Sequence, residues 1–451
     1  MTSSQAGRSH AADGRAATRT SAELSPSYRE AVLWQEQAEL PDLPATALPR
    51  STDCVVVGAG YAGLSCAREL ARAGRSVVVL DAHAVGWGAS SRNGGMVIPE
   101  LKAGPAALER AHGPLGRRLY AEVNEAFDYV EALIAGESLD CDYHRSGQLY
   151  LAHAERVVPS LRAMAREHGD ELGEPVRFVP REALGEEVGS TVYAAGLVIE
   201  RTGGLHPARF HAGLVHLALE AGASLHGTTP ATGLVRRGVR AGGGFRVTTP
   251  RGPVDAADVV VCTNAYADEL VPELRRRVLP VGSFIIATDV LEPELARSVS
   301  PRGRMLVDSK NFLFYWRLTP DGRLLFGGRR SLAPSTIPQA RDFLYASMLR
   351  VHPQLAGTHV ERAWGGNVAI TLDRLPHVGR IDGAWYATGC NGSGVALNTW
   401  LGARIARHLL GEAPPPSFAE LTHRPIPLHR ARAAYLPLVG LWFRWQDRGF
   451  K

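Results

Sequence analysis

The stretch Asp53-Cys54-Val55-Val56-Val57-Gly58-Ala59-Gly60-Tyr61-Ala62-Gly63 decides the fold. A short apolar, β-branched run enters three glycines at GxGxxG spacing. Leu64–Arg72 follows, with Leu64, Ala67, Leu70 and Ala71 at helical intervals, closed by Gly74. Ser76-Val77-Val78-Val79-Leu80-Asp81 then reads as a second buried strand, which completes a βαβ unit. In that setting Gly58 permits the tight turn, Gly60 lets the backbone approach a pyrophosphate, and Gly63 lets helix and strand pack closely. The helix N-terminus offers unpaired N–H groups and the positive end of its dipole to phosphates. Asp81 ends the second strand, where a carboxylate accepts hydrogen bonds from ribose hydroxyls and repels a 2′-phosphate. A dinucleotide other than NADP is therefore expected here; a glycine-rich turn of another α/β fold is the alternative.

Working outward, Gly86-Trp87-Gly88-Ala89-Ser90-Ser91-Arg92-Asn93-Gly94-Gly95 combines small residues with a polar cluster. Such a loop suits close passage along a flat ring and a diphosphate, and favours FAD over NAD, an ordinary polar surface loop being the alternative. Near the other end, Gly389-Cys390-Asn391-Gly392-Ser393-Gly394 opens a predicted helix over 395–410. This second glycine loop is placed to meet a flavin carbonyl edge with backbone N–H groups, a plain helix cap being the alternative. Between these motifs the periodicity predicts a helix over 105–135, short strands at 147–152 and 192–200, a helix over 207–222, and strands at 259–262 and 385–388. Thr319-Pro320-Asp321-Gly322 joins Phe312–Leu318 to Leu324–Gly328 as a β-hairpin.

At 451 residues the chain has room for two or three domains, and 45% hydrophobic residues suffice for a sizeable core. The net charge of +5 comes without a long basic run, which argues against nucleic acid. Five scattered cysteines, Cys54, Cys66, Cys141, Cys262 and Cys390, show no CxxC spacing, so neither a disulfide framework nor a zinc site is expected. The histidines show no trustworthy metal pattern either, and a reducing, cytoplasmic setting fits. No apolar run approaches the ~18 residues that span a bilayer. The Ser-, Ala-, Arg- and Thr-rich start lacks an apolar signal core. It reads as a disordered tail over 1–27, with a transit peptide as the compositional alternative.

These motifs, with GGLHPARF at 203–210, VLPVGSFIIAT at 278–288, YWRLTPDGRLLFGG at 315–328, WGGNVAITLDRLPHVGR at 364–380 and ATGCNGSGVAL at 387–397, resemble the D-amino-acid-oxidase superfamily of FAD enzymes. Within it the chain is similar to the gamma-glutamylputrescine-oxidase-like branch, over roughly residues 28–447. The resemblance implies an α/β (α+β) fold: a Rossmann-type FAD-binding domain and a second, mostly antiparallel β substrate domain. The FAD domain is expected from three pieces, 28–135, 203–275 and 360–412. The substrate domain takes 136–202 and 276–359, and 413–451 is a C-terminal extension. Around Gly58, Gly60, Tyr61, Ala62 and Gly63, and at Asp81 and Ala82, the cofactor contacts would be made by the first βαβ unit. Gly88, Ala89, Ser90, Ser91, Arg92, Asn93, Gly94 and Gly95 would line the pyrophosphate and flavin. Ala231 would meet adenine through its backbone, and Gly392, Ser393, Gly394 and Val395 would sit at the flavin's pyrimidine end.

Departures from the pattern carry expectations too. Glycine and D-amino-acid oxidases place a carboxylate-clamping Arg where this chain has Val368, so an α-amino acid is disfavoured and a simple amine favoured. Monomeric sarcosine oxidase has its flavin-linking Cys near the position matched by Gly366, so non-covalent FAD is expected, with Cys390 read as a small buried residue. That oxidase's oxygen-activating Lys falls on the strand matched by Leu324–Phe326, which leaves O2 or another electron acceptor open.

Catalytic candidates are few. Tyr315 and Arg317 share one face of their strand: Tyr315 as an aromatic wall, Arg317 as a ligand for a remote carboxylate such as a glutamyl group, with structural roles the alternative. His377 is a candidate base for a substrate ammonium, against a hydrogen-bonded structural role; His206 beside Pro207 is expected to fix a turn. The apolar, aromatic segment Tyr435–Trp445 is too short to span a membrane. Packing on its own domain or on a second subunit is expected, with immersion in a membrane interface the alternative. The expected activity is hydride transfer from a small, putrescine-derivative-like amine to FAD, giving an imine that hydrolyses. Alternatives are an FAD oxidase or dehydrogenase of a secondary amino acid or biosynthetic intermediate, and a non-catalytic flavin-binding protein; a homo-oligomer is compatible with each of these readings.

Overall fold

The computed structural model describes residues 21–39, 43, 46–238 and 243–449. Its first sheet is built on the strand Ser51–Val57, which pairs in parallel with Val77–Leu80 on one side and Gly252–Val261 on the other. Ser224–His226 extends the parallel order beyond Val77–Leu80, and Ala384–Thr388 joins the end of Gly252–Val261 in parallel. Side chains alternate across a strand, so Cys54 and Val56 enter one apolar cluster while Val55 and Val57 enter the opposite one. That two-sided burial is why the strand reads as an unbroken apolar run. Helix Tyr61–Arg72 crosses helix Gly394–Leu409 so closely that a Cβ on Gly402 would lie 2.0 Å from the Ala62 carbonyl oxygen.

The second sheet has nine strands, in the order Leu24–Arg29, Val360–Ile370, Leu279–Val290, Arg323–Gly328, Phe314–Leu318, Met305–Asp308, Gln148–Ala152, Ala195–Ile199 and Val176–Pro180. Two junctions are parallel: Leu24–Arg29 with Val360–Ile370, and Met305–Asp308 with Gln148–Ala152. The others are antiparallel. The predicted hairpin is present, with Phe314 opposite Gly328 and Leu318 opposite Leu324. Helix Ile337–Val351 covers this sheet from the side of Ile286, Trp316 and Phe326.

Several expectations need correction. Residues 24–27 are not tail: Leu24–Arg29 adds an edge strand to the nine-stranded sheet. Short edge strands carry little periodicity of their own, and this one is stabilised by its long-range partner; residues 1–20 lie outside the described residues. Val360–Ile370, assigned from sequence to the FAD-binding pieces, pairs along Leu279–Val290 from Ile370 opposite Leu279 to Val360 opposite Thr288. The helix expected over 105–135 is two helices, Pro105–His112 and Pro114–Gly136. Gly113 at φ 59 breaks the turn, and Pro114 starts the next helix with its ring where no N–H is needed.

Candidate active site

The turn after Ser51–Val57 shows what its glycines do. Gly58 has φ 103, and a Cβ there would meet the Cys262 carbonyl oxygen at 2.9 Å. A Cβ on Gly63 would lie 1.9 Å from the Gly58 carbonyl oxygen, so any side chain forces helix and strand apart. The Asp81 carboxylate accepts from the Ala59 N–H at 2.9 Å and from the His83 N–H at 3.0 Å. It is thereby fixed beside the glycine turn with lone pairs left for hydroxyl donors. The turn Gly227–Ala231 lies against it, with Thr229 N donating to the Asp81 carbonyl at 2.7 Å and Thr228 N to that of His83 at 2.8 Å. Ala82 and Ala231 thus lie on two adjoining segments beside Asp81. Sequence reasoning missed His211, whose buried ring donates from Nε2 to the Ala59 carbonyl at 2.7 Å and braces the loop from below.

The loop Gly86–Gly95 is pinned between the two sheets. Trp34 Nε1 donates to the Asn93 carbonyl at 2.9 Å, and Trp364 Nε1 to the Arg92 carbonyl at 2.8 Å. Asn93 Nδ2 donates to the Ser90 carbonyl at 2.9 Å and to the Tyr61 hydroxyl at 3.1 Å. Ser90 Oγ accepts from Tyr61 N at 3.1 Å, so it sits at the helix N-terminus. Ser91 is used differently from its neighbours: its fully buried hydroxyl bonds the Gly86 carbonyl and accepts from Gln35 Nε2 at 2.7 Å. It holds the loop together and does not line the cavity.

A cavity lies between this loop, the second glycine loop and the nine-stranded sheet. From the first sheet's side it is lined by Tyr61, Ala89, Ser90, Arg92, Asn93, Gly94, Asn264, Cys390, Gly392, Gly394 and Val395. Its far wall is apolar, with Ile98, Ile285, Val307, Leu313 and Val368, and Tyr315 stands among them. The Tyr315 hydroxyl lies 3.1 Å from Ser283 Oγ, and burial raises its pKa, so it remains a neutral phenol. Gly366 also lines the cavity, where the resemblance puts a flavin-linking cysteine. Cys390 is not the fully buried residue expected from sequence: it reaches the cavity, and Asn264 Nδ2 donates to its sulfur at 3.4 Å. Ser393 is buried, and its hydroxyl has no hydrogen-bond partner among the described residues.

Two catalytic candidates are corrected. Arg317 does not reach the cavity. Its buried Nη1 donates to the Leu205 carbonyl at 2.9 Å and the Gly95 carbonyl at 3.2 Å, and burial lowers its pKa to about 10. Two residues beyond Tyr315 on the same strand face, it has passed beneath the loop. His377 is also elsewhere: its Nε2 lies 3.1 Å from both Asp373 oxygens, and its ring stacks on His423 at 4.0 Å. His206, as expected, fixes a turn, accepting from Arg209 N at 3.2 Å at the start of helix Pro207–Glu220.

In place of Arg317 the structure brings Arg329 to the cavity, one residue past the hairpin's second strand. No carboxylate pairs with it among the described residues, and burial lowers its pKa with only Tyr315 opposing. Lys102 and Glu100, 3.4 Å apart, also line the cavity, as do Asn367, Asn391 and Asn398. The strand Leu324–Phe326 supplies no lysine and is buried, but Lys102 enters from an unrelated segment. The doublet Arg329-Arg330 was the available signal for Arg329, and nothing local says which of the two turns inward.

The family model of the DAO FAD-dependent oxidoreductases matches residues 53–408. The chain belongs to the DAO family. Gamma-glutamylputrescine oxidoreductase of Escherichia coli (strain K12) is 33% identical over 403 residues, which are 88% of this chain and 93% of that protein. A probable oxidoreductase, OrdL, of Haemophilus influenzae is 33% identical over 376 residues, 82% of this chain and 85% of its own length. Glycine oxidase from Geobacillus kaustophilus has the same fold, with a TM-score of 0.71 at 20% identity over 83% of this chain and 99% of that one. The DAO-family chain is thus an FAD-dependent oxidoreductase of the class that acts on amines, and the residues of its glycine turn, with Asp81 held beside it, are of the kind that suits a dinucleotide.

Proposed function

We propose that this enzyme oxidises the C–N bond of a small amine carrying a carboxylate remote from the reacting nitrogen, as gamma-glutamylputrescine does. The observation that carries the reading is the Arg329 guanidinium, which lines the cavity with Ile285, Leu313 and Val368 and has no carboxylate partner among the described residues. A desolvated cation without a partner is costly, and an incoming carboxylate offsets that cost with charge-assisted hydrogen bonds. Val368 lies at the cavity where glycine and D-amino-acid oxidases are expected to clamp an α-carboxylate, so the acidic group has no second cation at that point.

FAD, bound non-covalently by Gly58–Gly63, Asp81 and the loops Gly86–Gly95 and Gly389–Gly394, supplies the two-electron acceptor when present. The chain's own residues bind and orient. Ile98, Ile285, Val307, Leu313 and Val368 exclude water and favour the uncharged amine over the ammonium, leaving its lone pair free. Tyr315, as a neutral phenol held by Ser283, shapes the wall and takes no proton. Hydrolysis of the imine product follows outside this apolar region.

Anaerobic absorbance of the holoenzyme tests the reading with gamma-glutamylputrescine, putrescine and glycine. The flavin band is expected to bleach with gamma-glutamylputrescine at a half-saturating concentration about 10- to 100-fold below that for putrescine, the range of a charge-assisted hydrogen bond. Arg329→Met should abolish this preference. Preferential bleaching by glycine, or no bleaching by any amine, overturns the proposal.

A further inference from the structure

Helix Arg432–Gln446 is apolar on two opposite sides, and only one of them is used. The used side is fastened to the nine-stranded sheet's margin. The Asp447 carboxylate accepts from Asn311 N at 2.8 Å and Phe312 N at 3.0 Å. Phe443 meets Phe312 edge-on with centroids 6.1 Å apart, and Arg444 Nη2 donates to the Arg330 carbonyl at 3.2 Å. On the other side stand Leu438, Leu441, Trp442 and Trp445, spaced i, i+3, i+4, i+7 and therefore on one stripe. They are 67%, 59%, 54% and 58% exposed, and Leu428 just before the helix is 76% exposed. The expectation that this segment packs on its own domain or on a second subunit is thus met for its own domain on one face only. A helix with one buried side normally turns charged and polar residues to water; this one turns leucine and tryptophan.

Charge selects the occupant of that face. From 421 to 449 the sequence holds Arg424, Arg430, Arg432, Arg444 and Arg448 against a single carboxylate, Asp447, which is consumed in the pin. A second copy of this chain meeting the stripe about a twofold axis would bring like charges together. Anionic headgroups neutralise them, and tryptophan is the side chain that settles at the boundary between headgroups and hydrocarbon. A helix of 15 residues is about 22 Å long, short of the ~30 Å hydrocarbon core, so it lies in the surface plane.

We propose that the stripe Leu438, Leu441, Trp442 and Trp445, carried on this arginine-rich segment, docks the enzyme on an anionic lipid surface. Phe312 and Arg330, which hold the helix, are the chain neighbours of Leu313 and Arg329 in the cavity wall.

The test is co-sedimentation of the full-length holoenzyme with vesicles of phosphatidylcholine alone or mixed equally with phosphatidylglycerol, followed by tryptophan emission. Binding to the anionic vesicles at least tenfold tighter than to neutral ones is expected, with emission shifted to shorter wavelength. The variant Leu438→Ser/Leu441→Ser/Trp442→Ser/Trp445→Ser should lose both signals while its flavin spectrum, a check on folding, is unchanged. Arg430→Gln/Arg432→Gln/Arg448→Gln should weaken binding about 100-fold, since each surface arginine contributes roughly fivefold. Absence of binding to the anionic vesicles, equal binding by the serine variant, or a solution oligomer that the serine variant dissociates overturns the proposal.

Discussion

Replacing Gly63 with alanine tests how the dinucleotide crevice is built. The new Cβ would stand 1.9 Å from the Gly58 carbonyl oxygen and 3.1 Å from Val56 Cγ1. Contacts to a Cβ essentially never fall under 3.0 Å, so helix Tyr61–Arg72 and strand Ser51–Val57 must part by about 1.1 Å, the step from 1.9 to 3.0 Å. Backbone cannot rotate away as a side chain can. Overpacking of this kind costs about 1–3 kcal/mol of stability. The same movement draws the first-turn amides away from the pyrophosphate. Losing one charge-assisted hydrogen bond there costs about 1.5–3 kcal/mol, or roughly 10- to 100-fold in FAD affinity. FAD titration of apoprotein, followed by quenching of flavin fluorescence, reads the affinity, and denaturant unfolding reads the stability. Gly136→Ala serves as control, because its Cβ would meet nothing within 4 Å and it is the last residue of helix Pro114–Gly136, away from the glycine turn. Wild-type FAD affinity and stability in Gly63→Ala would refute the close-packing argument.

Further expectations follow from the other parts of the site. Acid precipitation should release all flavin to the supernatant; a yellow pellet that turns colourless in Cys390→Ser would instead mean linkage through the cavity cysteine. Arg317→Met should lower stability by about 1–3 kcal/mol, because the Gly95 and Leu205 carbonyls lose a buried donor, whereas Arg329→Met should leave it unchanged or raise it; urea unfolding that ranks them the other way would contradict these placements. Burial holds His153, His206 and His352 at about 4 and His423 at about 3. The unfolded chain takes up these protons near 6.5, so it binds more of them and stability falls as pH drops from there toward 4, by roughly 1–3 kcal/mol per group. A melting temperature that stays flat between pH 7 and 4.5 would show that these rings are not buried neutral.

Much of the first sheet was legible because its signals are local. Strand, glycine turn, helix and second strand follow one another within the span from Asp53 to Asp81, and each residue's role depends on near neighbours. The hairpin around Pro320-Asp321-Gly322 was legible for the same reason: turn chemistry sets its own register. The 86–95 loop was recognisable by motif, but the motif did not separate Ser90, which meets the helix N-terminus, from Ser91, which is spent inside the loop.

What the sequence by itself determined is therefore the βαβ unit, its carboxylate, the hairpin and the family that carries them. Only the tertiary structure decided which charged side chains face the cavity. Tyr315 and Arg317 do share a strand face, but a strand advances about 3.3 Å per residue, and that step carries Arg317 under the carbonyls of Gly95 and Leu205, segments far away in sequence. Arg329 and Lys102 enter from segments with no periodic relation to the motifs, and edge strand Leu24–Arg29 exists through its pairing with Val360–Ile370. Local pattern sets how a side chain alternates along its own element. What stands opposite it depends on how distant elements pack, and no short-range spacing records that.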